Sequence, residues 1–279
     1  LESYKTYAKY EPDLQGQIYA AEVMGRVWRD KSGLSPEKFR EQLDLLSVHS
    51  HKKAGEHYDD RAAEISPITV PKVNEQGVPI VDAKGQMIEG QTEITSKDEG
   101  IRNPNGMMEK LRELPGIVKR KSGILTAGNS CPTTDGGACM IWTSREYAEQ
   151  HSLKIRASLE SFFTIGTDTA LMLTGPIDAV PPTLARAKLK MDDMSVIEIN
   201  EAFSTVVYAS CHELKLDWND SRLNPWGGAI AMGHPTGMTG CRLIGSITTQ
   251  LEKSHKDYGL ATLCVGFGMG IGVIVRRGA

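Results

Sequence analysis

The sequence predicts a layered α/β fold, and three observations lead there. From about Gly123 onward, apolar runs of strand length alternate with helical patterns. Glycine gathers at 123–137, 226–240 and 266–272, beside those runs, as tight turns between elements require. A chain of 279 residues with 40% hydrophobic side chains can bury a sizeable core, as one large domain or two ordinary ones.

The elements follow in order. Ser35, Pro36 and Glu37 form a helix start, and Phe39, Leu43 and Leu46 repeat on one face, so a helix is expected from Ser35 to about Glu56. Ile65–Val70 reads as a β-run. In the polar stretch Lys72–Gly100, Val78–Val81 and Gln86–Ile88 flank Asp82-Ala83-Lys84-Gly85, which reads as a hairpin or as a disordered polar loop. Ala138–Trp142 is a candidate buried strand, with Ser144 capping the helix after it. Pro181 and Pro182 open a helix through Lys188. Val196–Ile199 is a strand, and Glu201–Leu214 and Met238–Lys253 are helices, the latter with Leu243, Ile247 and Leu251 on one stripe. Leu260–Cys264 and Ile271–Val275 are strands joined by a glycine-rich turn.

Composition narrows the function. Lysine and arginine number 32 against 35 acidic residues, a net charge of -3. That argues against a generally basic nucleic-acid binder or a polybasic membrane binder, and leaves room for a local anion site. No apolar run approaches the roughly 18 residues of a membrane span. Five cysteines, an odd count without close pairs, suggest free thiols and an intracellular reducing compartment, cytoplasmic or organellar. The chain starts at Leu1, which suggests that the gene product begins further upstream.

Three segments place reactive residues at strand ends or helix starts, where α/β folds build their sites. In Glu198-Ile199-Asn200-Glu201-Ala202-Phe203, Asn200 is either a helix cap or a site residue. In Gly227-Gly228-Ala229-Ile230-Ala231-Met232-Gly233-His234-Pro235, His234 is either structural or a general base, as neutral imidazole can be near pH 7. In Cys264-Val265-Gly266-Phe267-Gly268-Met269-Gly270, Cys264 is either an inert core thiol or a reactive one, and the following backbone N–H groups could meet an oxyanion.

In combination these motifs resemble the C-terminal signature of the thiolase family. Asp98-Glu99-Gly100-Ile101-Arg102, Thr126-Ala127-Gly128-Asn129-Ser130, Asp135-Gly136, Met172-Leu173-Thr174-Gly175-Pro176 and Arg40-Glu41-Gln42-Leu43-Asp44 extend the resemblance from about Gly16 to Val275. It implies a thiolase-like αβαβα layered fold with an inserted loop domain and an incomplete N-terminal half. Residues 1–20 would be the remnant of that half, 21–125 the loop domain, 126–155 the end of the N-terminal half, and 156–279 the C-terminal half.

The implied function is an acyl-CoA acyltransferase, acting by thiolysis of 3-ketoacyl-CoA or by the reverse Claisen condensation. Coenzyme A would be a substrate, with no tightly bound cofactor and no metal. By the motif match, His234 activates the nucleophile and polarises the thioester oxygen. Cys264 moves a proton at the substrate carbon or the coenzyme A sulfur. Asn200 holds a catalytic water in one oxyanion hole, and the Gly266 N–H serves the other. Arg102 matches a phosphate anchor, Ser130 and Cys131 lie where the pantetheine passes, and Met172 matches an acyl-pocket position or is a core methionine.

Two departures stand out. Cys131 stands where the family usually has a serine, and Phe267 replaces a common glycine. The nucleophilic cysteine is expected in the missing N-terminal segment. A non-catalytic acyl-CoA-binding relative and one subunit of a two-chain enzyme are the alternatives. The expected partners are acyl-CoA and coenzyme A, with either a homo-oligomer or the missing N-terminal half, and neither nucleic acid nor integral membrane.

Overall fold

A computed structural model describes residues 16–118 and 123–278. The chain enters through two helices, α1 (Gln17–Ser32) and α2 (Pro36–Glu56). Helix α2 begins where the sequence places it. The Ser35 hydroxyl accepts the Lys38 N–H at 3.3 Å, and Pro36 occupies the first turn, where a missing donor has no consequence. Phe39, Leu43 and Leu46 are buried on its inner face.

The short α3 (Tyr58–Arg61) and a 3-10 turn (Ala62–Glu64) lead into an antiparallel pair, β1 (Ile68–Pro71) with β2 (Thr92–Thr95). The β-run thus starts at Ile68 rather than Ile65, because the Ile65 N–H closes the 3-10 turn on Ala62 O and Pro67 has no N–H to give to a ladder. Between the strands, the bridges Val73/Pro79 and Val81/Met87 continue a thin ribbon. Its tip is the expected Asp82–Gly85 turn, with Gly85 at φ +76° and the Asp82 carboxylate accepting from Lys84 N and Gln86 N, both at 2.8 Å.

Helices α4 (Met107–Glu113) and α5 (Arg145–Gln150) follow, and Ser144 caps α5 as expected. Residues 138–142 do not form the expected buried strand. Ile141 is 88% exposed and Trp142 52%, because no strand among the described residues lies beside them to complete a ladder.

The C-terminal part is one layered unit. It contains β3 (Ala157–Gly166), α6 (Gly175–Ala187), β4 (Val196–Ile199), α7 (Ser204–Leu214), α8 (Ala229–Met232), α9 (Thr239–Ser254), β5 (Tyr258–Val265) and β6 (Met269–Arg277). The sheet order is β3-β6-β5-β4. The β4/β5 pair is parallel and the other two pairs are antiparallel. Side chains alternate between faces, as the pleat dictates. Val196, Ala261, Val273 and Val275 meet Leu243, Ile247 and Leu251 of α9. Ile197, Ile199, Leu260, Cys264 and Ile274 face the larger core, which includes residues of α6, α7, α1 and α2.

Two further expectations change. Helix α6 begins at Gly175, not at Pro181, and carries both prolines inside it. Proline removes a helix hydrogen bond, but burial of Ala179, Val180 and Thr183 against the sheet outweighs that loss. Helix α7 begins at Ser204, not Glu201. Asn200 N donates to Thr262 O (3.0 Å), Cys131 N donates to Ala202 O (3.0 Å), and Ser130 bridges Phe203, so this stretch stays extended. Asn200 is therefore not a helix cap.

Candidate active site

Strands β4 and β5 run parallel, so their C-terminal ends coincide, and this end carries the reactive residues. Asn200 follows β4 directly, and Cys264 lies near the end of β5. His234 enters from the turn between α8 and α9. Gly233 before it adopts φ +92°, and a side chain there would strike Thr134. Asn200 Nδ2 and His234 Nε2 lie 3.2 Å apart.

The tautomer follows from the hydrogen bonds. Thr239 Oγ1 donates to Pro235 O at 3.0 Å, so its lone pair receives His234 Nδ1–H at 2.7 Å. Nε2 is then an acceptor, facing the amide donor of Asn200. Burial, and secondarily the charge of Arg242, hold the His234 pKa below the ordinary imidazole range. The ring is neutral at pH 7 with its basic nitrogen turned into the site. Asn200 Oδ1 is buried and has no partner among the described residues.

Cys264 is buried, and desolvation pushes its thiol up to about 12, with the Cys131 thiol adding to the effect. Cys131 is itself pushed up to about 11 by burial. Both thiols keep their protons at neutral pH. The strand end thus combines one neutral base, one amide donor and two protonated thiols, a set suited to moving protons beside a carbonyl oxygen.

Glu201, which sequence reasoning passed over, fixes the glycine-rich turn. Its carboxylate accepts from Ser50 Oγ at 2.5 Å, Asn224 Nδ2 at 2.8 Å and Ile230 N at 3.1 Å. A Cβ on Gly228 would fall on that carboxylate, which explains the glycine there. Thr239 was missed as well. Its signal is a hydroxyl four residues after Pro235, able to bond back to that carbonyl.

The remaining predicted residues are placed as follows. Asp44 accepts from Arg40 Nε at 2.8 Å and from Asn129 Nδ2 at 3.0 Å, which joins two of the quoted segments and holds 125–131 against α2. Ser130 is buried and its hydroxyl donates to Thr126 O at 2.8 Å, so it is turned inward. Arg102 is exposed, and its backbone N–H donates to His51 Nδ1 at 3.1 Å. Burial pushes His51 down to about 4, so it stays a neutral acceptor. Gly100 packs on Ala231 O, which brings the Arg102 loop beside the His234 turn. Met172 is buried in the core that also holds Cys264. Gly266 opens the β5–β6 turn, followed by Phe267 at φ +68° and Gly268 at φ +81°. A left-handed Phe267 costs of order 1 kcal/mol, the physical reason for glycine at such a position.

The thiolase C-terminal domain profile matches residues 153–277, and the thiolase N-terminal domain profile matches residues 35–146. The chain belongs to the thiolase family. The beta-ketoadipyl-CoA thiolase of Acinetobacter baylyi is 38% identical over 240 residues, covering 85% of this chain and 56% of that protein. The 3-ketoacyl-CoA thiolase of Alcanivorax borkumensis is 36% identical over 239 residues, covering 85% and 58%. Among solved structures, the acetyl-CoA acetyltransferase of Bacillus anthracis superposes with a TM-score of 0.79 at 28% identity, covering 93% of this chain and 59% of that one. Human mitochondrial 3-ketoacyl-CoA thiolase gives 0.76 at 27%, covering 94% and 59%. This thiolase chain therefore has the thiolase-like fold and spans 56% to 58% of those two curated relatives.

Proposed function

We propose that the protein containing this chain is an acyl-CoA acyltransferase of thiolase type, cleaving 3-ketoacyl-CoA with coenzyme A or running the reverse condensation. The observation that carries this reading is the 3.2 Å approach of Asn200 Nδ2 to the neutral His234 Nε2, at the strand end that also bears Cys264. The curated relatives are longer than this chain, and we assign the nucleophilic cysteine to sequence beyond it.

In this reading His234 Nε2 takes the proton of that thiol as the thiolate attacks the keto carbon. The resulting imidazolium and an Asn200-held water receive the developing oxyanion. The carbon–carbon bond breaks to give an acyl-enzyme and the enolate of the shorter acyl-CoA. The protonated Cys264 delivers a proton to that enolate carbon, next to the Gly266 N–H. Incoming coenzyme A gives its proton to the Cys264 thiolate, and its sulfur attacks the acyl carbon; the new acyl-CoA departs, and the nucleophilic cysteine leaves as a thiolate that takes back its proton from the His234 imidazolium. Burial suits Cys264 to the donor role, because its resting form carries the proton. Arg102 holds the cofactor-like end of the substrate by its phosphates.

In the full-length protein, His234→Ala should lower thiolysis of acetoacetyl-CoA by about 100-fold or more, since base and oxyanion donor are lost together. Circular dichroism should show an unchanged fold. Wild-type turnover in a folded variant, or a wild type that cleaves no 3-ketoacyl-CoA, overturns the reading. Arg102→Ala should raise KM for the CoA substrate more than it lowers kcat, because phosphate contacts serve ground and transition states alike. A fall in kcat at constant KM contradicts the binding role.

A further inference from the structure

Three chain segments meet at Arg61, the last residue of α3, which is 4% exposed. Its Nη2 donates to Ala54 O of α2 at 2.7 Å. Its Nη1 donates to Asp98 Oδ2 at 2.8 Å and to Met232 Sδ. Asp98 opens the loop that carries Arg102, and Met232 ends α8, two residues before His234. The loop and the turn also touch directly, since a Cβ on Gly100 would fall 2.5 Å from Ala231 O. Arg102 N is tied to α2 through His51. The loop bearing the proposed phosphate anchor is thus fixed to the turn bearing the base, and the Arg61 side chain bonds to both.

The residue type fits that task. Guanidinium donors lie in one plane in fixed directions, so one side chain meets several acceptors at set angles, which an ammonium on a flexible stem does not. Methionine sulfur is a weak acceptor, so the Met232 contact sets a distance more than it adds energy. Stability does not account for the arginine. A buried ion pair contributes little beyond an apolar residue of like volume. Moreover, Arg61 Nε is buried without a hydrogen-bond partner among the described residues.

We propose that Arg61 is a positioning residue for the acyl-transfer reaction, holding the Arg102 loop and the His234 turn at one separation. The nucleotide end of a CoA thioester and its reacting carbonyl are then held in register. Both ends of one substrate must be in place together, and a shift of about 1 Å at the reacting centre can cost about 100-fold in rate. Phosphate binding on the loop reaches His234 through Arg61. The inference rests on the proposed roles of Arg102 and His234, and one arm of its test is independent of turnover.

The test uses the full-length protein with Arg61→Met, an unbranched apolar replacement, beside Asp98→Ala, which frees the loop alone. Two thioesters are compared, acetoacetyl-CoA and acetoacetyl-pantetheine, the second lacking the nucleotide phosphates. Arg61→Met should lower kcat about 10-fold on both, through the turn, and raise KM about 5-fold on acetoacetyl-CoA alone, through the loop. Asp98→Ala should raise that KM by a similar factor. A merely structural Arg61 would lower the melting temperature and leave kcat and KM of the folded enzyme unchanged, and that result overturns the proposal. So does an equal loss of kcat/KM on the two thioesters. Should Arg61→Met fail to fold, Asp98→Ala decides, and an unchanged KM for acetoacetyl-CoA overturns the proposal.

The second arm is NMR of labelled histidine rings, with His234 assigned by His234→Gln. The probe is adenosine 3′,5′-bisphosphate, which carries the 3′- and 5′-phosphates of the coenzyme A nucleotide without its pantetheine. Adding it should shift the His234 ring signals in the wild type, and the shift should be lost in Arg61→Met. A wild type that cleaves no 3-ketoacyl-CoA defeats the proposed function, while this shift still judges Arg61. A shift of equal size in both proteins, or none in the wild type, overturns the coupling.

Discussion

Residues 138–142 and 260–264 carry the same sequence signal and reach opposite outcomes. Both are short apolar runs ending near glycine or a helix cap, and both read as strands. Leu260 is fully buried within β5, which has β4 on one side and β6 on the other. Ile141 is almost fully exposed and belongs to no strand. An apolar run becomes a strand only where a neighbour supplies the other half of its hydrogen bonds and a layer covers its face. The difference lies in what stands beside each run.

The largest expected effect tests that contrast directly. Leu260→Ala should destabilise the protein by about 3 kcal/mol or more, through lost burial and the cavity left behind. Ile141→Ala should stay within about 0.5 kcal/mol in this chain, because its side chain is 88% exposed. Urea unfolding measures both. A large loss at Ile141 in the full-length protein would sharpen the comparison, because it would show that sequence beyond this chain supplies the missing neighbour.

Glycines extend the contrast. Gly228→Ala should cost about 2 to 3 kcal/mol, because a Cβ there displaces the Glu201 carboxylate from its buried donors. Gly137→Ala, in the exposed segment where a Cβ meets nothing within 4 Å, should be near neutral. Equal losses at the two positions would break the comparison. Thermal unfolding followed by circular dichroism reads them.

A smaller effect depends on pH. Burial raises the Glu198 carboxyl to about 7 in the folded state, above the ordinary carboxylate value of 4.5. A raised carboxyl contributes stability that is fully present below the unfolded value and is lost as pH rises through the folded one. Glu198→Gln should remove that loss. Relative to wild type, the variant should gain of order 2 kcal/mol on going from pH 5 to pH 8. His51, lowered to about 4 from 6.5, works with the opposite sign, losing stability as pH falls between those values, and it cancels in this difference. A flat difference between pH 5 and pH 8 would mean that Glu198 ionises freely.

Local signals were read correctly wherever the cause was local. The Ser35 and Ser144 caps, the Asp82–Gly85 turn and the apolar stripe of α9 depend on residues a few positions apart, and all of them form. The resemblance located His234, Asn200 and Cys264, and the fold brings Asn200 and His234 to 3.2 Å of each other. Glu201 and Glu198 could not be singled out, because nothing in their immediate sequence distinguishes a buried carboxylate from an exposed one.

The sequence by itself determined the α/β class, the helix starts made by serine caps, and the family, since each rests on spacing or on motif identity. The tertiary structure alone decided the rest. It placed two prolines inside α6, because the sheet buries that face. It held Asn200–Phe203 extended, because Thr262 and Cys131 bond to that backbone. It raised the Glu198 carboxyl to about 7, because desolvation outweighs the charge of Arg242. Each of these outcomes balances a local preference against partners distant in sequence, and that balance is settled only when the layers close.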